Sequence, residues 1–162
     1  MAASIGVGEG SMRTILKKLR QAGLVEVDPA GIRLTKSGVR SYQAVLKKMV
    51  PPVLLQGSAF AVGESQAGVL MRSSGDAIST GIQQRDASVR VGAEGATSYA
   101  LKADKFTVPG GSSDCERDFP SETWAVLRKE LDPQNGDAII VCGASDEITS
   151  KLGALSAALT LA

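Results

Sequence analysis

The strongest chemical signal in the sequence lies close to its start. Met12, Ile15, Leu16 and Leu19 fall at positions i, i+3, i+4 and i+7, which predicts a helix with one buried apolar stripe. Gly23 is suited to end that helix. The side chains that lie off the stripe are cationic or hydrogen-bonding: Arg13, Thr14, Lys17, Lys18, Arg20 and Gln21. We therefore expect this helix to present a cationic, hydrogen-bonding face to solvent.

The charge of the chain is divided between two parts. Residues 1 to 50 contain nine Lys and Arg against three Asp and Glu, a net charge of +6. The remaining residues contain nine against fourteen, a net charge of −5. Pro51 and Pro52 stop any helix that arrives from the N-terminal side. The sequence therefore predicts a basic domain over residues 1–50, a linker over 51–57 and an acidic domain over 58–162.

The basic domain is predicted to run helix, hairpin, helix. Two short β-type runs, 24–27 and 32–35, flank a turn in which Pro29 and Gly31 occupy favourable positions. Thr35 is suited to cap a second helix, whose apolar stripe comprises Tyr42, Val45, Leu46 and Met49.

The stretch from residue 4 to residue 50 resembles the recognition helix and wing of winged helix-turn-helix transcription regulators. The resemblance rests on a turn glycine at Gly6, the run LKKLRQAGLV into the hairpin, and the LTKSG that opens the closing helix. In that family the N-terminal part of the recognition helix enters the major groove of double-stranded DNA. The resemblance places Ser11, Arg13 and Thr14 near base edges, Lys17 and Lys18 on phosphates, and Arg33 on the wing.

Two features depart from the pattern of that family. Glu26 and Asp28 lie beside the hairpin turn and would repel phosphate, so we expect little affinity from the wing. A helix-turn-helix also needs a preceding helix over the apolar stripe, and only MAASI precedes the turn. We expect that the natural protein begins upstream or, as the less favoured alternative, that another copy of the chain covers the stripe.

The acidic domain alternates β-type runs with helical segments. The runs cover 58–62, 67–72, 97–103, 105–109 and 137–143, with hairpins predicted at Gly63 to Gln66 and at Asp104. The helical segments comprise one with Ile78, Ile82 and Val89 at helical spacing, one capped by Ser121, and one that closes the chain. This alternation predicts an α/β fold with a mixed sheet, and an α+β fold is the alternative.

Three polar segments of the acidic domain are candidate ligand sites. The loop VPGGSSDC could form a backbone-amide cradle for an anion, or it could be a solvated loop. Two polar residues after the last strand occupy a place where α/β sheets bind ligands, although helix capping also explains them. A polar trio in a helix could line a pocket or form a solvated face. The residues concerned are Gly110, Gly111, Ser112, Ser113 and Asp114; Ser145 and Asp146; and Gln84, Arg85 and Asp86.

The composition excludes several kinds of chemistry. The chain contains no histidine, which excludes Ser-His-Asp and Cys-His relays and the commonest zinc and iron sites. Cys115 and Cys142 are too few for a four-cysteine zinc site, and Cys142 is expected to be a buried packing residue. We predict no cofactor and no metal. No membrane span or export signal is apparent, so we expect a cytoplasmic protein.

The whole chain is similar to archaeal winged-helix regulators that carry a C-terminal domain of uncharacterised function. This weaker resemblance rests on GIQQRDASVRVGAEGATS, DKFTVPGG and GDAIIVCGASDEITSKLGALSAALTL. We therefore predict a homodimeric DNA-binding transcription regulator whose α/β domain senses a small molecule or holds the dimer together. An enzyme or ligand-binding protein acting on an anionic metabolite, with the basic segment as an appendage, is the alternative. A purely structural dimerisation domain is a third possibility.

Overall fold

The computed structural model describes residues 7–55 and 61–162. The chain divides into two compact units, Met1–Lys47 and Lys48–Ala162, which we call the first and second units. The boundary between them falls a few residues before the prolines that we used to place it.

The first unit contains the predicted sequence of helix, hairpin and helix. Its elements are α1 (Glu9–Gln21), β1 (Val25–Asp28), β2 (Gly31–Leu34) and α2 (Lys36–Lys48). The two strands pair antiparallel around a turn in which the Asp28 carboxylate accepts a hydrogen bond from the Ala30 N–H at 2.8 Å. The Thr35 hydroxyl accepts a hydrogen bond from the Gly38 N–H at 3.0 Å, so the predicted helix cap is confirmed. The turn glycine Gly6 lies outside the described residues.

The apolar stripes of α1 and α2 are much less buried than predicted. Met12 is the only buried residue of α1, and Ile15 is 40% exposed. On α2, Tyr42 is 54% exposed and Leu46 is 40% exposed, while Met49 lies beyond the helix in a strand. The predicted stripes are therefore buried at Met12 and Met49, partly buried at Leu16 and Leu19, and exposed at the remaining positions.

The second unit is built on one five-stranded sheet. Its strands are β3 (Met49–Leu54), β4 (Ser65–Met71), β5 (Gly95–Lys102), β6 (Lys105–Thr107) and β7 (Ala138–Ala144), in the order β3-β4-β7-β5-β6. Every pair of neighbours is antiparallel, so the predicted mixed sheet is wrong. The combination of helices and strands is confirmed, and its antiparallel sheet corresponds to the α+β alternative.

The first four residues of the predicted linker are part of an edge strand of this sheet. Residues 51–54 belong to β3, which pairs with β4, and the pairing register shifts between Val50 and Val53. Pro51 and Pro52 lie within this irregularity. Because proline has no N–H to donate, edge strands and bulges are the places where a sheet accepts it. Helix α2 ends at Lys48, before the prolines, as predicted. The prolines themselves lie within strand β3 and not in a linker.

Other boundaries in the second unit also differ from the prediction. Residues 58–60 of the first predicted strand lie outside the described residues, and Ala61 and Val62 are not in a strand. The hairpin predicted at Gly63 to Gln66 is not formed, since β4 begins at Ser65. The hairpin at Asp104 is confirmed, because Lys102 and Lys105 face each other across it.

Among the described residues of the second unit, four α-helices pack on the sheet or beside it. They are α3 (Ile82–Val89), α4 (Cys115–Asp118), α5 (Thr123–Leu131) and α6 (Glu147–Ala158). Ile82 and Val89 lie in α3 as predicted, but both are exposed, whereas Gln84, Ala87 and Ser88 are buried. Ser121 is not the N-cap of α5, a position that Glu122 occupies, although its hydroxyl accepts a hydrogen bond from the Thr123 N–H.

The sheet separates two apolar cores. Alternate residues along a strand point to opposite faces, so Ile140 and Cys142 of β7 join one core and Ile139 and Val141 join the other. Helix α6 packs on the first face, and α5 contributes Leu127 to the second. The prediction that Cys142 is a buried packing residue is confirmed. Among the described residues, none of the helices has the length and apolar character needed to cross a membrane.

Candidate functional site

The exposed surface of α1 carries a row of cations. Arg13, Lys17 and Arg20 follow one another at i, i+4 and i+7, so they lie along one side of the helix. Together with Leu16 and Val27 they line a groove of about 280 Å³ between α1 and the hairpin. Sequence reasoning did not include Arg20 among the candidate site residues, although its spacing from Arg13 and Lys17 was a usable signal.

The remaining candidates on α1 are also exposed. Ser11, Thr14 and Lys18 are all open to solvent, and the Thr14 hydroxyl donates a hydrogen bond to the Gly10 carbonyl at 3.1 Å. Arg13 forms an ion pair with Glu9 at 3.4 Å, and both side chains are largely exposed. Such exposed pairs contribute little energy, so the Arg13 guanidinium can exchange this partner for another anion.

Arg33 has a different environment from the cations of α1. Its guanidinium forms ion pairs with Glu26, at 3.4 Å, and with Asp28, both on the same hairpin. These carboxylates compensate its charge and would repel a phosphate. The pairing argues against the role on DNA that the family resemblance implied for Arg33.

The second unit contains an open cleft of about 620 Å³. Its walls are mainly apolar and aromatic, and its polar atoms come from hydroxyls and a thiol. The residues that line it are Thr97, Tyr99, Val108, Gly111, Ser112, Cys115, Phe119, Pro120, Ser121 and Trp124. We call this cavity the aromatic cleft. Its volume lies within the range typical of small-molecule sites, about 300 to 1,000 Å³.

The aromatic rings beside the cleft hold one another in place. Trp124 contacts Tyr99 edge to face, with ring centroids 5.3 Å apart, and stacks on Phe106 at 5.0 Å. The Trp124 indole N–H donates to the Phe119 carbonyl at 2.9 Å. The Arg128 guanidinium lies 4.8 Å from the Phe106 ring centroid. These contacts fix the orientation of the rings, and a surface with fixed side chains lowers the entropic cost of binding a ligand.

The ionisable groups of the cleft are uncharged at neutral pH. Burial raises the pKa of Tyr99 to about 12, and it also raises the pKa of the Cys115 thiol. A thiol with a raised pKa is a poor nucleophile, because the thiolate is the reactive form. The aromatic cleft is thus suited to an apolar molecule or the apolar part of one.

The loop that we predicted as an anion cradle forms one wall of this cleft. Gly111 and Ser112 line the cleft, whereas Gly110 and Ser113 are exposed. Two of the amides that a cradle would use already have acceptors: the Gly111 N–H donates to the Val108 carbonyl and the Asp114 N–H to the Ser112 hydroxyl. Asp114 caps α4. These hydrogen bonds favour the alternative of a solvated loop, and the amide cradle stays a prediction.

Asp114 of this loop forms an ion pair with Lys105. Its carboxylate lies 2.9 Å from the Lys105 ammonium, which holds the pKa of Asp114 below its usual range. The Ser112 hydroxyl donates to the Asp118 carboxylate at 2.6 Å. The two carboxylates make this segment a poor binding place for an anion.

Ser145 and Asp146 do not line the aromatic cleft. The Asp146 carboxylate accepts hydrogen bonds from the N–H groups of Ile148 and Thr149, each at 2.9 Å, and from the Thr149 hydroxyl at 2.6 Å. The bonds from Thr149 and Ile148 hold the pKa of Asp146 below its usual range. Helix capping therefore accounts for Asp146, the alternative that the sequence had left open.

The polar trio of α3 separates into three environments. Gln84 is buried and donates to the Thr160 hydroxyl at 2.7 Å, a packing role. Asp86 pairs with Arg85 at 2.9 Å on the surface. Arg85 lines a smaller cavity of about 190 Å³, and Thr97 and Val108 contribute to the walls of both this cavity and the aromatic cleft.

Sequence reasoning missed the aromatic side chains of the cleft. The chain has only six aromatic residues, and four of them lie in or directly beneath the cleft. These are Tyr99, Phe106, Phe119 and Trp124. Their scarcity elsewhere in the chain is a signal that could have identified them, but their separation in sequence hides their proximity.

Comparison with known proteins gives a family match within the second unit and a structural match over nearly the whole chain. A family model described as "Domain of unknown function (DUF4443)" matches residues 62–161. The solved structure of "Hypothetical protein PH0730 from Pyrococcus horikoshii OT3" is 22% identical and aligns with a TM-score of 0.76. That alignment covers 99% of this chain and 80% of the Pyrococcus chain. No curated protein matches the chain.

Proposed function

The chain belongs to the DUF4443 family, whose function is unknown, and we propose that it is a DNA-binding transcription regulator of winged-helix type. The observation that carries this proposal is the row of exposed cations on α1. The first unit contains eight Lys and Arg against three Asp and Glu, a net charge of +5. A helix with a cationic face, followed by a hairpin, is suited to the major groove of DNA.

Each cation of α1 has a proposed role in this interaction. Lys17, Lys18 and Arg20 bind phosphates and supply most of the affinity, which depends on salt because counterions are released. Ser11, Arg13 and Thr14 lie toward the N-terminal half of the helix and contact base edges. Arg33 has no part in the proposal, because its charge is compensated by the hairpin carboxylates.

A titration of a labelled duplex tests this proposal. Fluorescence anisotropy is measured with a duplex from upstream of the chain's own gene, at several salt concentrations. We expect Lys17→Ala to weaken binding and to reduce the slope of log K against log salt by about 1. Lys129→Ala is the matched control, since Lys129 is an exposed lysine of the second unit. DNA binding that Lys17→Ala and Lys129→Ala reduce equally, or no binding at all, would refute the proposal.

We also propose that the second unit binds a small-molecule effector in the aromatic cleft. The size, apolar walls and fixed rings of the cleft support this role. A ligand that binds only the folded chain raises its melting temperature, so a thermal-shift screen of apolar metabolites tests it. Trp124→Ala should abolish any shift found. If no compound raises the melting temperature, a structural role for the second unit becomes the better explanation.

A homodimer completes the proposal, because regulators of this kind usually read symmetric DNA sites. The exposed apolar side chains of α1 and α2, among them Ile15, Tyr42 and Leu46, are available to contact a second copy. Light scattering over a range of concentrations tests this point. A mass that stays at one chain throughout would contradict it.

A further inference from the structure

We propose that α2 is a docking site for an acidic amphipathic helix of a partner protein. This inference goes beyond the proposed function, because the DNA contact is assigned to α1 and a failure of DNA binding would leave α2 unaffected. It rests on two neighbouring rows of exposed side chains on α2, one apolar and one cationic, and on the lack of acidic residues in this part of the chain.

The apolar row consists of Val39, Tyr42 and Leu46. These residues lie at i, i+3 and i+7, so they follow one another along one side of the helix. They are 40%, 54% and 40% exposed, and Gly38 alone of the thirteen residues of α2 is buried. An exposed row of large apolar side chains is unfavourable in water and marks a surface that contacts another molecule.

The cationic row consists of Lys36, Arg40 and Lys47, which lie at i, i+4 and i+11. With 3.6 residues in each turn, this row lies about a quarter of a turn from the apolar row and runs beside it. The ion pairs of the described first unit involve only Arg13 and Arg33 among its cations. The cationic row is therefore free to pair with carboxylates of another molecule.

This part of the chain offers no carboxylate of its own. Helix α2 contains four cations and no acid, and the sequence has no acidic residue between Asp28 and Glu64. Two α2 helices placed against each other would bring like charges together, which is unfavourable. A second α2 is therefore a poor cover for the apolar row, and α1 is the better contact for the proposed homodimer.

A helix with an apolar row and acidic borders matches both rows at once. Such a helix packs its apolar side chains on the apolar row and places its carboxylates beside the cationic row. A nucleic acid would leave the apolar row uncovered. The hairpin also lies against α2, since a Cβ placed on Gly38 would be 2.0 Å from the Leu24 carbonyl oxygen and 3.2 Å from the Leu34 Cδ2. A helix can lie along the row beside the hairpin, whereas a flat lipid surface meets the hairpin first.

A pair of fluorescently labelled helical peptides tests the proposal on the full chain. Both peptides carry leucines at i, i+3 and i+7, and they differ only in having glutamates or glutamines along the borders of that row. We expect the glutamate peptide to bind about tenfold or more tightly by fluorescence anisotropy, because several ion pairs form along one contact. Raising the salt concentration should reduce this preference, because salt screens exposed charges.

Three substitutions assign the binding to the two rows of α2. Arg40→Glu should remove the preference by weakening only the glutamate peptide, and this variant should bind a lysine-bordered peptide more tightly than wild type does. Arg90→Glu makes the same change of charge at an exposed arginine of the second unit and should keep the preference. Tyr42→Ser should weaken both peptides severalfold and change the melting temperature little, since Tyr42 is exposed.

The outcomes that would overturn the proposal are distinct. If the two peptides bind equally, the match of charge is wrong. Equal loss of the preference in Arg40→Glu and Arg90→Glu would remove its assignment to α2. If neither peptide binds and Tyr42→Ser dissociates a dimer of the chain in light scattering, a second copy covers the row. If neither peptide binds but phosphatidylserine vesicles do, and Tyr42→Ser abolishes that binding, the row contacts lipid instead.

Discussion

The two units differ in how much of their own apolar surface they bury. In the second unit every residue of β7 is buried, and apolar cores lie on both faces of the sheet. In the first unit, α1 and α2 together contain two buried residues, Met12 and Gly38, while apolar side chains along both helices are exposed. Internal packing therefore stabilises the second unit, whereas the first unit leaves apolar surface available for a partner.

The units also differ in how they use cations. In the second unit, Arg128 lies between Glu116 and Asp104, and Arg72 pairs with the buried carboxylate of Asp137. In the described part of the first unit, Lys17 and Lys18 have no ion pair within reach. Cations without a protein partner are available to bind an external anion, which is the physical basis of the proposed DNA contact.

A matched pair of leucine substitutions tests the contrast in packing and has the largest expected effect. Leu127 is fully buried in the second unit, and Leu46 is 40% exposed in the first. We expect Leu127→Ala to lower the free energy of unfolding of its unit by about 3 kcal/mol, because it leaves a cavity. Leu46→Ala should cost about 1 kcal/mol or less. Hydrogen exchange followed by mass spectrometry measures each unit through its own peptides.

An equal cost at the two positions would break the contrast. It would mean that Leu46 is covered in solution, and its cost should then fall as the protein is diluted if a second copy provides the cover. A cost at Leu46 that does not depend on concentration would instead show that the first unit is packed by its own residues.

The sequence predicts the second unit best where a single run carries the whole signal. The apolar run over 137–143 indicates a buried central strand on its own, and the structure has that strand at Ala138–Ala144. The positions of Ile82 and Val89 could not be predicted in the same way, because periodicity does not show which side of α3 meets the sheet. The pairing of β3 with β4 on either side of Pro51 and Pro52 depends on residues further along the chain, so local rules assign these prolines to a linker.

At the candidate site, too, local sequence rules do not show which distant residues the fold brings together. Local rules find Asp146 correctly as a polar residue at a helix start, but capping accounts for it in full. The aromatic cleft depends on contacts such as Tyr99 with Trp124, which are brought together by the sheet and α5. A pattern read along the chain cannot provide those contacts. Arg85 was identified from its type, whereas its cavity depends on Ser98 of a neighbouring strand.

Two glycine-to-alanine substitutions, one in each unit, should change the free energy of unfolding in opposite directions. A Cβ placed on Gly153 of α6 would lie 2.4 Å from the Cys142 Sγ and 2.8 Å from the Ala93 Cβ. We expect Gly153→Ala to destabilise the second unit by about 2 kcal/mol through overpacking. Gly10 of α1 has open space at its Cβ position, so Gly10→Ala should stabilise the first unit by about 0.5–1 kcal/mol.

The same exchange experiment measures both glycine variants. Adding Cys142→Ala should reduce the cost of Gly153→Ala, because it removes the nearer of the two contacts. A stabilising effect of Gly153→Ala, or the same sign of effect at both glycines, would show that α6 is packed more loosely than its contacts indicate.

The smallest expected effect concerns a buried ionisable group of the second unit. Burial raises the pKa of the Cys142 thiol to about 11, above its ordinary value, because the thiolate is disfavoured inside the core. The unfolded chain therefore loses this proton at a lower pH than the folded chain. The resulting stability is complete below the unfolded pKa and is lost as pH rises toward 11.

Urea unfolding at about pH 8 and about pH 10, followed by Trp124 fluorescence, measures this loss. Wild type should lose about 1 kcal/mol more than Cys142→Ala over that interval, since the variant has no thiol to ionise. Tyr99, whose pKa is raised to about 12, should add a further loss above that interval in both proteins. Equal losses at about pH 10 would mean that Cys142 reaches water in the folded state, and the dense packing assigned to the second unit would then not extend to the contact between β7 and α6.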